Sequence, residues 1–95
     1  MKVRLSAAAR RDLSGIWDYT AERWNEAQAE RYVRLIAQRL DDLANGTASG
    51  RNADDIRPGY RRLPVGSHLL FYRLGGAEIE VVRILHRRMD VGQHL

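Results

Sequence analysis

The stretch RILHRRMDVGQHL, residues 83–95, holds three arginines, two histidines and an aspartate. Groups of these types in this density could cleave a phosphodiester, grip a phosphate, or close the fold. Cleaving RNA through its own 2′-hydroxyl takes a base for that hydroxyl, an acid for the leaving oxygen and cations around the phosphate. Cations are plentiful, in Arg61, Arg62, Arg73, Arg83, Arg87 and Arg88, and His86 has the chemistry of the acid. The base is missing. Glu80 precedes His86 by six residues in a strand-like run, about 20 Å at the usual rise per residue, and Glu78 is farther. Asp54 and Asp55 fall in a loop ahead of the sheet. Asp90 is expected to pair with a neighbouring arginine or to cap a terminal turn. A hairpin turning on Gly75–Gly76 sets Arg73 opposite Glu78 and His68 opposite Arg83, away from His86, so His68 reads as structural. Three separated histidines and no cysteine leave no metal-ligand pattern, and no cofactor is expected.

Docking on a partner needs no proton transfer. Guanidinium groups suit it because their planar fork meets carboxylates bidentately. Single-strand binding wants aromatic platforms on an open sheet face. Phe71 and Tyr72 are adjacent on one strand and point to opposite faces, so no direct, sequence-specific contact with nucleic acid is expected.

The elements that must position these groups follow from the pattern. KVRL alternates polar and apolar and reads as a short strand. Ser6 is a natural N-cap for a helix whose stripe is Ala9, Leu13, Ile16, Thr20 and Trp24. Gly15 weakens that helix by roughly 1 kcal/mol relative to alanine, or lets another backbone come close. Asn25 with Gln28 resembles a capping box and starts a second helix with the stripe Ala29, Tyr32, Val33, Ile36, Leu40 and Leu43. Asn45–Gly46 stops it, so the two helices form a tight hairpin. TASGRNADD is a surface loop. Three strand-like runs follow, YRRLPV, HLLFYRL and EIEVVRIL, parted by Gly66–Ser67 and Gly75–Gly76. Pro64 favours an edge position. The last run is apolar on both faces, so it is central. The expected fold is α+β, β-α-α-β-β-β, a small, mainly antiparallel sheet with a helical hairpin on one face.

The chain has 95 residues and a net charge of +4. That length makes one domain, residues 1–95, with one small core. Residues 1–56 carry nine basic and nine acidic side chains, whereas residues 57–95 carry seven arginines against Glu78, Glu80 and Asp90. The whole excess lies in the C-terminal part, a field that suits phosphate, nucleic acid or an acidic protein. No signal-like core or membrane-length apolar run is present, so the chain is expected in the cytoplasm, without membrane contact.

Three pieces carry a resemblance: AAARRDLSGIWDYTAERWNEAQAERY, PGYRRLPVGSHLLFYRL and VVRILHRRMDVGQHL. Their residues and order resemble the RelE/ParE superfamily of bacterial toxins, its ParE branch in particular. The resemblance implies the toxin of a type II toxin–antitoxin pair, neutralised by a ParD-like antitoxin and inhibiting DNA gyrase by binding rather than catalysis. RelE-type relatives imply the alternative, a ribosome-dependent messenger-RNA endoribonuclease. Those relatives carry a lysine-rich cluster between the second helix and the sheet, where TASGRNADDIRPG has no lysine and two aspartates. The expected docking groups are Arg61, Arg73, Arg83 and His86, with Arg87, Arg88, Met89 and Asp90 in a mobile tail. His86 is expected to have no acid–base role. The expected antitoxin-binding groups are Leu13, Trp17 and Trp24 on the first helix and Tyr32, Ile36 and Leu40 on the second. Two tryptophans exceed what so small a core accommodates, although Trp24 leans toward the core.

Overall fold

A computed structural model describes residues 1–95. The chain runs β1 (Lys2–Leu5), α1 (Ala7–Arg23), α2 (Glu26–Asn45), β2 (Arg51–Asn52), β3 (Tyr60–Val65), β4 (His68–Gly75), β5 (Glu78–His86) and a terminal turn of helix, α3 (Val91–His94). The five strands form one sheet in the order β1-β5-β4-β3-β2, with β1 parallel to β5 and the other pairs antiparallel. The expected β-α-α-β-β-β order holds, with two short elements added.

The caps form where the side chains allow. Ser6 Oγ accepts the Ala9 N–H at 2.9 Å and donates to the Val82 carbonyl at 2.7 Å. Asn25 Oδ1 accepts the Gln28 N–H at 2.8 Å, while the Gln28 side chain turns to Arg31, so the capping box has one leg. Gly46 ends α2 at φ 81°, the left-handed backbone that glycine adopts without strain. The helical hairpin buries Ala9, Ile16, Ile36 and Leu43 against Leu63, Val65, Leu70, Tyr72, Ile79, Val81 and Ile84 of the sheet.

Two expectations about the strands are corrected. The β4–β5 turn is Gly76–Ala77, with Gly75 opposite Glu78, so Arg73 faces Glu80. Farther along, Phe71 pairs with Arg83 but Tyr72 pairs with Val81, leaving Val82 as the extra residue of a bulge. The displaced turn moves each partner by two residues and the bulge moves it by a third. His68 therefore faces His86, not Arg83. A bulge leaves no mark in hydrophobic alternation when both faces are apolar, and β5 is buried on both.

The expected surface loop also contributes structure. Gly50 donates its N–H to the Tyr72 hydroxyl at 2.6 Å, and Ala53 is fully buried. Pro64 lies where β2, which pairs only with Arg61 and Arg62, no longer covers β3. Of the two roles open to Gly15, the close backbone approach is absent, since a Cβ there would meet nothing within 4 Å.

Candidate functional site

The new register brings together three side chains from three elements at one end of the sheet. Tyr32 lies on α2, His68 opens β4 and His86 closes β5. Gly66 makes the approach possible: its φ is 55° and a Cβ would fall 2.7 Å from the Tyr32 ring. The Tyr32 hydroxyl accepts the Ser67 N–H at 3.0 Å and lies 2.6 Å from His68 Nδ1. The same hydroxyl is 3.3 Å from the Val65 carbonyl, a second acceptor within reach of its proton. The rings of His68 and His86 stand edge to face, 5.2 Å apart at 81°. His86 Nδ1 accepts the Arg88 N–H at 3.1 Å. His86 Nδ1 is thus occupied as an acceptor, while donor and acceptor in the Tyr32–His68 contact are set by the His68 tautomer.

Burial pushes the His68 pKa below its ordinary value of 6.5, the nearby His86 pushes it the same way, and Asp12 pulls against them. Burial also raises the Tyr32 pKa, while hydrogen bonding from Ser67 and the charge of Arg87 oppose the rise. Burial thus favours the neutral form of His68.

The carboxylates of the sheet and its preceding loop are engaged elsewhere. Asp54 accepts from Asn52 and Gly59, Asp55 pairs with Arg62, and Glu78 and Glu80 pair with Arg4, Glu80 also with Arg73. Asp90 stands at the N-cap of α3 without a side-chain cap bond or ion pair, and makes no hydrogen bond to either imidazole. The pairing or capping expected of its side chain is absent.

The expected docking residues divide. Arg73 sits in the Glu80–Arg4–Glu78 network near the β4–β5 turn, and Arg61 donates to the Gly50 carbonyl. Arg83 is held bidentately by Asp12 at 2.7 and 2.8 Å. Past the end of β1, the same carboxylate accepts the Ile84 N–H at 2.9 Å, replacing a ladder bond that no strand supplies. Arg87 and Arg88 have no acidic partner. The Arg87 backbone N–H bonds the Ser67 carbonyl and its Nε bonds the Gly66 carbonyl at 3.1 Å. Asp12 escaped the sequence reading because its partner lies 71 residues away. Its one signal is an acid beside an otherwise apolar helical stripe.

Three cavities meet at His86. One of about 420 Å³ runs under α1 past Ile16, Tyr19, Thr20 and Met89 to both imidazoles. One of about 270 Å³ lies between Tyr19, Trp24, Gln28 and Tyr32 and the same imidazoles. The third, about 510 Å³, is lined by Gly66, Ser67, His86, Arg87 and Arg88. Thr20 belongs to the helical stripe, whereas Tyr19 is a site residue that the pattern gave no reason to single out.

On the helices, Leu13, Trp17 and Val33 line a shallow groove of about 360 Å³. Trp24 is 60% exposed, which corrects its placement toward the core; the helix ends there and the backbone turns outward. Ile36 is fully buried in the central cluster and cannot meet a partner, so its assignment to an antitoxin surface is wrong. Leu40 and Tyr32 are half-buried against the same cluster.

A family model described as ParE toxin of type II toxin-antitoxin system, parDE, matches residues 3–91. Toxin ParE1 of Mycobacterium tuberculosis is 51% identical over 92 residues, covering 96% of this chain and 94% of the relative. Toxin ParE1 of Caulobacter vibrioides is 39% identical over 92 residues, covering 97% and 95%. Toxin ParE of Escherichia coli is 35% identical over 88 residues, covering 92% and 85%. A solved structure, "Chromosomal ParDE TA system from P. aeruginosa", matches with a TM-score of 0.79 at 24% identity, covering 90% of this chain and 95% of that one, a likeness of fold.

Proposed function

Because this chain belongs to the ParE toxin family of type II toxin–antitoxin systems, we propose that a ParD-like antitoxin neutralises it and that it acts by docking on DNA gyrase, without catalysing a reaction. It works in the cytoplasm, and no helix of the chain is long and apolar enough to cross a membrane. The observation that supports the non-catalytic reading is that the carboxylates of the sheet and its preceding loop are held by Arg4, Arg62, Arg73, Asn52 and Gly59, and none hydrogen-bonds either imidazole. Two adjacent imidazoles have the composition of an acid–base pair, which favours the ribonuclease reading. No carboxylate hydrogen-bonds either ring, as the orienting partner of a histidine base would.

Docking falls to the face made by His86, Arg87, Arg88, Met89 and Asp90, with Arg83 positioning it through Asp12. Two consecutive arginines with no acidic partner suit carboxylates on a protein surface. Arg61 and Arg73 form a second, more neutralised patch toward the other end of the sheet. The antitoxin covers the groove of Leu13 and Trp17, extends to Trp24, and touches the rims of Tyr32 and Leu40, burying apolar surface now in water. The test is supercoiling by purified gyrase beside ribosome-dependent RNA cleavage, each with a stoichiometric amount of the chain. Inhibited supercoiling with intact message is expected; cleaved message with unaffected supercoiling overturns the proposal.

A further inference from the structure

His86 separates two environments of opposite character. On one side is the polar basin of Gly66, Ser67, Arg87 and Arg88, about 510 Å³. On the other are the two clefts, about 420 and 270 Å³, that share Tyr19, Thr20 and both imidazoles. Their rims carry large rings left in water, Tyr19 at 63% and Trp24 at 60% exposure. We infer that this combined cleft binds a nucleotide unit of an unpaired nucleic-acid strand, the phosphate in the basin beyond His86 and the base against the aromatic rim.

The phosphate end is built from charge that nothing in the chain neutralises. Arg62, Arg73 and Arg83 each have a carboxylate partner. Arg87 spends only its Nε, on the Gly66 carbonyl, and the Arg88 side chain makes no hydrogen bond. The two are consecutive on a turn, so their side chains diverge and approach an anion from different directions. His86, its Nδ1 occupied by the Arg88 N–H, adds an Nε2–H donor. Several donors from separate directions match a tetrahedral oxyanion better than a planar carboxylate, which one guanidinium fork satisfies.

The base end rests on the exposed rings. Trp24 is held outward where α1 ends, and the Arg23 guanidinium lies 5.4 Å from its ring centroid. An aromatic face beside a cation is the platform on which bases stack, each stack contributing about 1–3 kcal/mol. The larger cleft is within the range of small-ligand sites, roughly 300–1,000 Å³. An acidic peptide would fill the basin and leave the aromatic rim in water. A nucleotide joins an anion to a flat apolar ring, as the adjoining cavities do. The sheet-face platform sought in Phe71 and Tyr72 is absent because both are buried; the exposed rings come from the helical hairpin instead.

The site shares Arg87 and Arg88 with the proposed gyrase-docking face, but it is read on the full-length chain alone, so either can fail without the other. Calorimetric titration compares short oligomers of deoxythymidine and of uridine with polyglutamate of equal charge and with inorganic phosphate. An oligonucleotide should bind at least about tenfold more tightly than polyglutamate or phosphate, and the tighter of the two oligomers identifies the strand as DNA or RNA. The double substitution R87E/R88E should weaken binding about tenfold or more. Tyr19→Ala and Trp24→Ala should each do the same, a fold-change set by one lost stack. Arg51→Glu, on the far edge strand, should change binding less than twofold. All these side chains are exposed, and circular dichroism confirms folding of each variant. Polyglutamate binding as tightly as the oligonucleotides overturns the inference, as does unchanged oligonucleotide binding in both aromatic variants.

Discussion

Asp12 and Arg83 close the fold across 71 residues through two hydrogen bonds, 2.7 and 2.8 Å long, while the same carboxylate accepts the Ile84 N–H. Both side chains are largely buried, at 14% and 23% exposure. Donating hydrogen bonds to Asp12 raises the Arg83 pKa further, with burial opposing it. The guanidinium also donates to the His94 carbonyl at 3.1 Å, tying the terminal turn to α1. Removing one partner strands a partly buried charge, a costlier change than losing both. Asp12→Ala should therefore destabilise by about 2–3 kcal/mol, and Arg83→Ala by less, because the Ile84 N–H keeps its acceptor. A double-mutant cycle in urea should give a coupling of about 1–3 kcal/mol. Additive losses would mean that the pair contributes nothing beyond its separate contacts.

Tyr32 joins α2 to the sheet through a hydroxyl that serves Ser67 and His68 at once. Tyr32→Phe keeps the ring and removes both partners' bonds, leaving the Ser67 N–H and His68 Nδ1 unmatched. The expected loss is about 1–3 kcal/mol, measured by denaturant unfolding. A change under a few tenths would show that water replaces the hydroxyl without cost.

His68 gives stability a pH dependence of definite sign. Its folded pKa lies below 6.5, through burial first and the nearby His86 second. A depressed folded pKa means that the unfolded chain takes up a proton first as pH falls. Stability is therefore full above about pH 6.5 and declines as pH drops through the depressed folded value. The groups facing His68 are Tyr32 on α2, Asp12 on α1 and His86 on β5, so the comparison needs a variant that changes His68 alone. In His68→Gln the slope between pH 7 and 5 should flatten, read as unfolding midpoints at matched ionic strength. An undiminished slope would place the titration elsewhere.

The sequence was legible where one residue type has one local use. Ser6, Asn25 and Gly46 cap as their chemistry dictates, and Tyr60–Val65 matches its expected strand. It was illegible where two distant segments decide the outcome together. The bulge at Val82 lies just past the end of β1 at Leu5, and the Ser6 hydroxyl donates to the Val82 carbonyl. No window within β5 contains that information. The pairing of His68 with His86 escaped the sequence through this bulge together with the turn at Gly76–Ala77 rather than Gly75–Gly76, and with it the centre of the site. Ile36 was misassigned because a stripe identifies the inward face without saying which of its residues lies deepest.

The glycines separate these cases experimentally. Gly15→Ala adds a methyl to open space within a helix, and should stabilise by about 0.5–1 kcal/mol. Gly66→Ala meets the Tyr32 ring at 2.7 Å at a φ of 55°, and Gly50→Ala meets the Arg62 carbonyl at 2.6 Å. Both should destabilise by about 1–3 kcal/mol or more. Thermal melts rank the three variants; a stabilising Gly66→Ala would contradict the closeness of the turn to α2.

The segment 86–90 concentrates the groups proposed to dock on gyrase. Arg87 and Arg88 are exposed and lack acidic partners, so their charges are available to a target and open to screening by salt. The reversal R87E/R88E changes four units of charge on one turn. Exposed pairs contribute roughly 0.2–1 kcal/mol each, so the summed loss of about 0.4–2 kcal/mol should weaken gyrase inhibition by roughly 2- to 30-fold. Raising ionic strength should weaken the unsubstituted chain in the same direction, since the Debye length is about 10 Å at 0.1 M and about 3 Å at 1 M. His86 behaves differently under docking and under catalysis. In docking it contributes shape and one hydrogen-bond donor, both of which glutamine retains in part, so His86→Gln should keep inhibition within about fivefold. An acid–base imidazole has no such substitute, because the glutamine amide does not titrate. Supercoiling assays on both variants, each confirmed folded by circular dichroism, decide between the readings. An inactive His86→Gln beside a fully active R87E/R88E would establish proton transfer as the mechanism and end the docking reading.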